Sequence, residues 1–241
     1  GGAVSAALWD ACHRAARDRG PAPALALLAG ELLPGMLPCG PHGHGVVAPE
    51  TLLKAEEVWY GGRPCPLAPG GPEVLSRTEL PGGEVVMVRH EVPSAVEYGP
   101  GDLGAGWGLG LVWLRLGLSE GLRESVVAHL GGRTTGGSPL LHQQLVKSAV
   151  ADALIEHLEV RAVLDGARPA ELSPALLGDL QRRLTATDRA QVKLLGASGY
   201  LRTGPGQVGY VSELLAEAYA SAGKKEERAV ARTAVAGSRC W

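Results

Sequence analysis

The chain has 241 residues and a formal net charge of −2 at pH 7, from 23 basic and 25 acidic side chains. This near-neutral balance gives no electrostatic support for binding nucleic acid or an anionic membrane surface. No apolar run is long enough to span a membrane, and the 4 scattered cysteines are not typical of a disulfide framework. We therefore expect a soluble, cytoplasmic protein whose core is built from Ala, Leu and Val, since the sequence has no phenylalanine.

Two short helices are predicted at the N-terminus. Residues 3–19 place Ala, Val and Leu at helical spacing until Gly20 and Pro21 interrupt the pattern. Residues 22–33 form a second and more apolar helical segment. Because both segments are rich in alanine and largely nonpolar, we expect them to pack against a larger body. We assign residues 1–37 to this short N-terminal helical segment.

Glycine and proline become frequent over residues 38–103, and β-like runs lie between them. The clearest runs are residues 57–60 (EVWY) and residues 83–89 (GEVVMVR), the second of which follows a Pro-Gly turn. Residues 50–57 are predicted to form a short helix. We interpret this whole segment as a reduced β region of a few strands.

Three residues of metal-binding type, Cys39, His42 and His44, lie close together in the β region. A protein metal site needs three or four ligands in a fixed geometry, and no second cluster of such residues stands nearby in the sequence. We therefore favour a turn rich in glycine and proline with exposed imidazoles over a metal site, and we expect no bound metal.

Residues 104–241 are predicted to form four long helices with short connections, which favours an antiparallel bundle. Two Ser-Pro pairs, Ser138-Pro139 and Ser173-Pro174, are typical helix starts. Serine accepts a hydrogen bond from a free backbone amide, and proline at the first helical position loses no hydrogen bond. The predicted helices span residues 104–130, 139–164, 175–195 and 207–233.

Two features of these helices predict how they pack. Gly117 and Gly121 in the first helix would permit the close approach of a neighbouring helix. In the second helix, apolar residues recur at helical spacing and predict one broad apolar face. This face comprises Leu141, Leu145, Ala149, Ala153 and Leu154, with Val146 and Val150 alongside.

Two motifs in the bundle resemble those of the acyl-CoA dehydrogenase family. The first runs from Arg133 to Asp152 (RTTGGSPLLHQQLVKSAVAD), and the second runs from Leu194 to Tyr200 (LLGASGY). The resemblance covers about residues 100–220. It implies a mainly α fold with an acyl-CoA dehydrogenase-like four-helix C-terminal bundle, a reduced β region and short N-terminal helices. The matching positions of the first motif are Arg133, Gly137, Pro139, Leu140, Gln144, Ala151 and Asp152.

The resemblance also implies a cofactor site. In the family, the bundle halves of two subunits pack together, and FAD lies across that interface. Arg133 and Gln144 would meet the pyrophosphate and adenine side of the FAD of a neighbouring subunit, and the backbone of Leu195, Gly196 and Ala197 would approach the same cofactor. A guanidinium pairs well with phosphate, and a helix start offers free amide groups. The alternative is that Arg133 and Gln144 are ordinary surface residues.

The resemblance does not supply a catalytic base. Family members remove the α-proton of a thioester with a glutamate, while the β-hydride goes to the flavin. The two positions that this glutamate takes in the family fall on Ala220 and Trp107, and neither residue is acidic. Glu213 and Glu217 on the last helix are alternative acids, although their spacing is also typical of a solvated helix face. The catalytic residues therefore stay unassigned.

Two functions follow from this resemblance. The first is a flavin-dependent oxidoreductase of acyl-CoA dehydrogenase type, which acts on an acyl thioester carried by CoA or by a carrier protein. The second is a non-catalytic subunit that completes the flavin site of a partner or serves as a scaffold. Either function implies a homodimer or a heteromer with an acyl-CoA dehydrogenase-like chain.

Overall fold

A computed structural model describes residues 2–60, 63–91, 102–135, 137–166, 171–196, 199 and 204–219. The described fold is mainly helical, with a small β region between two N-terminal helices and a helical bundle, which confirms the predicted fold class. The helices are α1 (Gly2–Arg19), α2 (Pro21–Leu32), α3 (Pro49–Lys54), α4 (Asp102–Gly131), α5 (Gln144–Gly166), α6 (Pro174–Leu194) and α7 (Pro205–Tyr219). The strands are β1 (Met36–Cys39), β2 (His44–Val47), β3 (Glu57–Tyr60), β4 (Arg63–Pro66), β5 (Glu73–Leu80), β6 (Gly83–Arg89), β7 (Thr134–Thr135) and β8 (Ser138–Pro139).

The helix α4 lies at the centre of the molecule. It contacts α1, α2, α5, α6 and α7, and residues 109–120 are buried without interruption. Burial on every side of a helix is typical of a core position. Two of the buried residues, Arg115 and Glu120, are charged, and each must therefore have partners within the protein.

Two glycines of α4 let α1 cross it at close range. A Cβ atom on Gly117 would lie 2.3 Å from the carbonyl oxygen of His13, and one on Gly121 would lie 2.9 Å from the carbonyl oxygen of Arg17. Any side chain at either position would push the two helix backbones apart. The close helix approach predicted at these glycines is therefore confirmed.

The β region consists of two small sheets whose inner faces pack together. In one sheet β1 pairs in parallel with β3, which pairs in antiparallel with β4. In the other sheet β6 lies between β2 and β5 and is antiparallel to both. The strands predicted at residues 57–60 and 83–89 are confirmed as β3 and β6. Both sheets contribute to one buried cluster, which comprises Leu37, Cys39, Val47, Val58, Tyr60, Val86 and Val88.

A second cluster joins the β region to the helices. Val46 of β2, Trp59 of β3 and Val85 of β6 pack with buried residues of α1, α2, α4 and α7. A further cluster forms between α4, α5 and α6 within the bundle. Because one buried cluster is shared by the N-terminal helices, the β region and the bundle, burial in the described fold marks no boundary at residues 37 and 103, and that division stays a prediction.

The prediction that Ser138 and Pro139 start the second bundle helix is wrong. These two residues form β8, which pairs with β7 in a short hairpin, and α5 begins only at Gln144. Gly137 in the hairpin turn has a φ of 84°, a left-handed conformation that suits glycine in tight turns. Because Ser138 and Pro139 pair with β7 in the hairpin, they cannot cap the helix.

The other Ser-Pro pair starts a helix as predicted. The Oγ of Ser173 accepts a hydrogen bond from the amide of Leu176 at 3.2 Å, and Pro174 is the first residue of α6. The last predicted helix, over residues 207–233, is seen as α7 up to Tyr219. The remainder of that prediction lies outside the described residues.

The apolar face predicted for the second helix is wrong in part. Leu145 is 85% exposed and Leu154 is 42% exposed, whereas Ala153 is buried as predicted. The buried side of α5 instead contains His157. This side faces inward because His157 is hydrogen-bonded to α4. The buried residues of α5 are Ala153, His157, Val160 and Leu164. The large apolar residues left exposed on it are Leu145, Leu154, Ile155 and Leu158.

The first testable prediction concerns Gly40, which follows β1 and lies against the end of α7. A Cβ atom on this residue would lie 1.7 Å from the carbonyl oxygen of Ala218. We expect Gly40→Ala to lower the free energy of unfolding by about 3 kcal/mol, because the backbone must shift to admit the methyl group. Urea denaturation followed by circular dichroism measures this change.

The matched control is Gly30→Ala in α2, where an added Cβ atom would meet nothing within 4 Å. This change should be neutral or slightly stabilising, because alanine is the better helix former. Equal losses in the two variants would contradict the close contact between β1 and α7.

Candidate functional site

The two sequence motifs meet at one end of the bundle. Leu195, which follows α6, is 1% exposed and packs against the last turns of α4. The segment that precedes α5 also packs against the cluster of buried residues around Leu195, which holds the two segments side by side. The cluster comprises Leu122, Val126, Leu130 and Leu195, with Leu140, Leu141, Val146, Val192 and Leu194 packed against it.

Arg133 lies in the link between α4 and the short hairpin. Its carbonyl oxygen accepts a hydrogen bond from the amide of Leu140 at 2.7 Å, which fixes its backbone. Its side chain is exposed, and Nη1 lies 3.4 Å from Nε2 of His129. Within the described part of the chain, the guanidinium contacts no carboxylate. It is therefore a cation held at a fixed place with its donors available.

Gln144 is the first residue of α5 and is exposed. The first amides of an α-helix have no acceptor within the helix, and at the start of α5 the amide of Lys147 donates to the carbonyl of Gln143 at 3.0 Å. An exposed helix start of this kind presents donors and the positive end of the helix dipole. The start of α5 can therefore accept an anionic group.

The segment after α6 presents backbone to this same end. The side chain of Leu195 is buried, so only its backbone can face a ligand. Gly196 is exposed with a φ of 56°, and a Cβ atom there would meet nothing within 4 Å. Ala197 lies outside the described residues. Gly196 therefore leaves open space at the end of the bundle where the motifs meet.

Trp107, one of the two positions where the resemblance places a glutamate, is in contact with other aromatic rings. The ring centroids of Trp107 and Tyr219 are 5.4 Å apart with an edge-to-face geometry, and Trp59 lies 6.3 Å from Trp107. Ala220 lies outside the described residues, but its neighbour Tyr219 brings the end of α7 against Trp107. One of the two positions implied by the resemblance, Trp107, is therefore an aromatic residue in contact with the end of α7.

The described polar groups around this aromatic contact can donate hydrogen bonds, but they do not include a catalytic base. The Tyr219 hydroxyl accepts from the amide of Val46 at 3.0 Å and lies 3.3 Å from the carbonyl of Pro38. The indole nitrogens of Trp59 and Trp107 are buried and have no acceptor among the described residues. An indole N–H can donate a hydrogen bond but cannot abstract a proton.

The alternative acids on α7 do not face the aromatic contact. Glu213 is held on the surface by Arg189 of α6, whose Nε donates to Oε2 at 3.0 Å. Glu217 is exposed. The buried side of α7 carries small and apolar residues together with one serine: Gly206, Gly209, Val211, Ser212, Leu215 and Ala218. Neither glutamate is therefore positioned as a base beside Trp107.

A buried polar network, which the sequence does not reveal, lies in the bundle core around Arg115. Its guanidinium is fully buried and donates to Ser212 Oγ at 2.9 Å and to Thr185 Oγ1 at 2.8 Å. It also bonds both oxygens of Gln181 and lies 3.7 Å from Oδ2 of Asp188. Burial raises the pKa of Asp188 to about 6, although Arg115 and two serines oppose the shift. This network ties α4, α6 and α7 together.

The network continues toward α5 through Ser119 and His157. The Oγ of Ser119 lies 2.7 Å from Nε2 of His157, and Nη1 of Arg123 lies 3.1 Å from Nδ1 of the same ring. Because a guanidinium can only donate, Nδ1 accepts and the proton of the neutral ring lies on Nε2. Nε2 therefore donates to Ser119, and α5 is tied to α4 by a neutral histidine.

The second prediction follows from this neutral histidine. Burial, together with the Arg123 guanidinium, lowers the pKa of His157 from 6.5 to about 4. The unfolded chain then takes up a proton below about pH 6.5 that the folded chain does not, so the free energy of unfolding falls as the pH drops through this window. We expect the stability advantage of the wild type over His157→Gln to shrink by roughly 2–3 kcal/mol between pH 6.5 and 4.

Urea denaturation of both proteins at a series of pH values tests this prediction. Asp188 titrates with the opposite sign, because its raised pKa favours the folded state in acid. Asp188 titrates in the same way in both proteins, so its effect cancels in the difference between their free energies of unfolding. A stability difference that stays constant from pH 7 to pH 4 would contradict the neutral state assigned to His157.

The residues of metal-binding type form a turn. The amide of Gly43 donates to the carbonyl of Gly40 at 2.9 Å, and Gly43 has a φ of 76°. Cys39 is buried among apolar residues, and burial raises the pKa of its thiol to about 12. Across the part of the chain that the structure describes, no group of three His, Cys, Asp or Glu side chains is arranged to hold a metal ion. The predicted turn is confirmed.

Comparison with solved structures defines the class of fold. A variant of the Tcur3481-Tcur3483 steroid ACAD matches with a TM-score of 0.52 and 17% identity, over 98% of this chain and 81% of that chain. FkbI, for biosynthesis of the methoxymalonyl extender unit of Fk520, matches with a TM-score of 0.51 and 19% identity, over 83% of this chain. The chain covers 65% of the length of FkbI. No protein-family model and no curated protein matches the sequence.

The fold is therefore that of the acyl-CoA dehydrogenases, and the resemblance inferred from the two motifs is confirmed for the fold. The β region is small, with the two three-stranded sheets described above. A search of the described helices finds none that is both long and apolar enough to cross a membrane.

Proposed function

We propose that this chain is an acyl-CoA dehydrogenase-like subunit that holds FAD together with a second chain and takes part in the oxidation of an acyl thioester. In this proposal it contributes to the cofactor site without supplying the catalytic base. The observation that carries the proposal is the contact between Trp107 and Tyr219, because it puts an indole ring at one of the two positions where the family's glutamate would lie.

The end of the bundle around Arg133 suits an anionic dinucleotide. The guanidinium of Arg133 and the free amides at the start of α5 are the groups that bind a pyrophosphate. Gln144 lies exposed beside those amides, and Gly196 leaves open space. We therefore propose Arg133, Gln144 and the backbone of Leu195, Gly196 and Ala197 as residues that hold FAD. The flavin, when bound, supplies the acceptor for a hydride.

The division of roles between two chains follows from the missing base. An acid that abstracts the α-proton of a thioester must lie beside the substrate, and Glu213 is instead paired with Arg189 on the surface. A partner with a glutamate in either family position would supply the proton acceptor. The residues of this chain would then bind and orient the cofactor and exclude water from the shared site.

The exposed apolar face of α5 supports a partner chain. Leu154, Ile155 and Leu158 are each at least 42% exposed on one side of the helix, and an apolar patch of this kind is typical of a protein interface. The patch lies on the helix that begins at Gln144, so a chain that covers it would lie along the same helix as the proposed cofactor site. We propose a homodimer or a heteromer with an acyl-CoA dehydrogenase-like chain, working in the cytoplasm.

A catalytically complete oxidoreductase stays a prediction of the sequence. It would require a base from residues that the structure does not describe or from a second copy of the chain. The acyl group and its carrier, CoA or a carrier protein, are also not specified by the residues at the aromatic contact.

The third prediction tests this proposal by flavin reduction. The purified chain is mixed with FAD and a set of acyl-CoA thioesters without oxygen, and loss of the visible flavin band is followed. We expect bound flavin that the thioesters do not bleach, and bleaching after addition of an acyl-CoA dehydrogenase-like chain co-purified from the native source. Rapid bleaching by the isolated chain would contradict the division of roles, and failure to bind FAD in either mixture would contradict the cofactor site.

A further inference from the structure

A second pocket lies between α1, α4 and α5, away from the aromatic contact and from Arg133, Gln144 and Gly196. Its volume is about 390 Å³, within the range of small-molecule sites. Four arginines but only two carboxylates line it. We call it the arginine pocket and define it by Arg17, Arg123, Arg161, His157, Leu154 and Leu158.

Arg123 brings an uncompensated positive charge to this pocket. Its side chain is half-buried, and its hydrogen bond to Nδ1 of His157 uses a neutral acceptor. Among the residues that the structure describes, no carboxylate pairs with this guanidinium. A partly buried cation without a counter-ion is costly, and an anion in the pocket would remove that cost.

Arg161, on α5, has two competing hydrogen-bond partners in this pocket. Its Nη2 lies 2.7 Å from Nε2 of His13 and 3.3 Å from Oε1 of Glu120. The same His13 nitrogen lies 2.9 Å from Oε2 of Glu120. One ring nitrogen cannot accept from the guanidinium and donate to the carboxylate at the same time. A ligand that accepts from Arg161 would leave His13 free to donate to Glu120.

The position of Arg161 is fixed by its surroundings. Its guanidinium carbon lies 5.6 Å from the centroid of the Trp113 ring, a cation–π contact. His157 and Arg161 are one turn apart on α5, so Arg123, which bonds His157, and Arg161 face the pocket from neighbouring positions. Both guanidinium groups therefore line the same pocket.

The mouth of the pocket is apolar. Leu154 and Leu158 line it and are 42% and 57% exposed. A ligand that consists of a charged head alone would leave these side chains in water. A ligand with a hydrocarbon part would cover them and gain from burial of apolar surface.

We propose that the arginine pocket binds an amphiphilic organic anion, with its carboxylate or phosphate head on Arg123 and Arg161 and its hydrocarbon part on Leu154 and Leu158. The shared chemistry is an anionic head on a short apolar chain. The residues of this site differ from those proposed to hold FAD. Because Leu154 and Leu158 also belong to the α5 face proposed to meet a partner chain, the site is tested on the chain without a partner.

Isothermal titration calorimetry on the full chain tests this site with four probes. Octanoate and octyl phosphate carry the same chain on two different heads, whereas acetate and inorganic phosphate carry the heads alone. We expect saturable binding of at least one of the octyl compounds, at least about tenfold tighter than its head alone. Absence of saturable binding by both octyl compounds would overturn the proposal.

Two variants test the residues. Arg123→Gln removes the unpaired cation, and we expect it to weaken binding of the octyl compound at least about tenfold. Leu158→Glu keeps every arginine and adds a carboxylate at an exposed mouth position, so it should fold normally and abolish binding. Arg182→Gln, on the exposed side of α6 with Asp179 as its partner, is the matched control and should bind like the wild type.

Equal affinity in the wild type and Leu158→Glu would overturn the proposal even if Arg123→Gln fails to fold. FAD affinity measured on the same variants separates the two sites. We expect it to be unchanged in Arg123→Gln, because Arg123 lies neither among the residues proposed to hold the flavin nor on the apolar face of α5 proposed to meet a partner chain.

Discussion

Arg115→Met is expected to lower the free energy of unfolding by about 3–5 kcal/mol, the largest stability effect that we expect of any single change. The guanidinium is fully buried and bonds Ser212, Gln181 and Thr185. Its removal leaves these acceptors unpaired and leaves the buried carboxylate of Asp188 without a cation. Urea denaturation followed by circular dichroism at neutral pH measures the loss.

The controls separate the buried charge from the packing of the side chain. Arg182→Met changes an exposed arginine on α6 and should cost less than about 0.5 kcal/mol. The double variant Arg115→Met, Asp188→Leu should recover part of the loss, because it removes both charges together. A loss below about 1 kcal/mol in Arg115→Met alone would contradict the network as the link between α4, α6 and α7.

Arg133→Ala is expected to raise the Kd for FAD by roughly 10- to 100-fold, the range that one charge-assisted contact to a phosphate supplies. The stability of the chain should not change, because the side chain is exposed and its contact with His129 is 3.4 Å long. Fluorescence titration with FAD measures the affinity, and thermal unfolding of the apoprotein verifies the fold.

Arg182→Ala is again the matched surface control and should bind FAD like the wild type. Gln144→Ala should weaken binding less than Arg133→Ala, since a neutral amide forms weaker hydrogen bonds than a guanidinium. An unchanged Kd in Arg133→Ala would contradict the role that the sequence motif assigns to this residue.

The features predicted correctly from the sequence depend on local chemistry. Ser173 caps α6 because its hydroxyl accepts from an amide only three residues away. The strand at residues 83–89 carries consecutive β-branched residues after a tight turn. Gly117 and Gly121 marked a close helix crossing because no side chain could fit there. Each of these signals lies within a few residues of the feature that it predicts.

The features that were missed depend on partners distant in the chain. The hydrogen bonds of Arg115 reach residues 66 to 97 positions away, so no spacing in the sequence reveals them. The Ser138-Pro139 pair is typical of a helix start, but in the structure it forms a strand that pairs with β7. The exposed leucines of α5 fit a helical apolar pattern, and only the packing of His157 shows which side turns inward.

The candidate cofactor site was predicted as two separate motifs, and the structure adds their relation in space. The cluster around Leu195 holds the start of α5 and the end of α6 against the last turns of α4. The aromatic contact could not be predicted in the same way, because Trp59, Trp107 and Tyr219 belong to three different parts of the chain. Only the absence of an acid at Trp107 and Ala220 was visible in the sequence.

The central claim is that the end of the bundle around Arg133 and Gln144 holds FAD in a groove completed by a second chain. Analytical ultracentrifugation of the chain with FAD, recorded at the visible flavin band, tests this claim most directly. Our account predicts that the flavin sediments with an assembly of at least two chains and that Leu154→Lys, on the exposed face of α5, weakens this assembly and releases the flavin. A chain that sediments as a monomer with all of the flavin left behind in solution, with or without a co-purified partner, would contradict it.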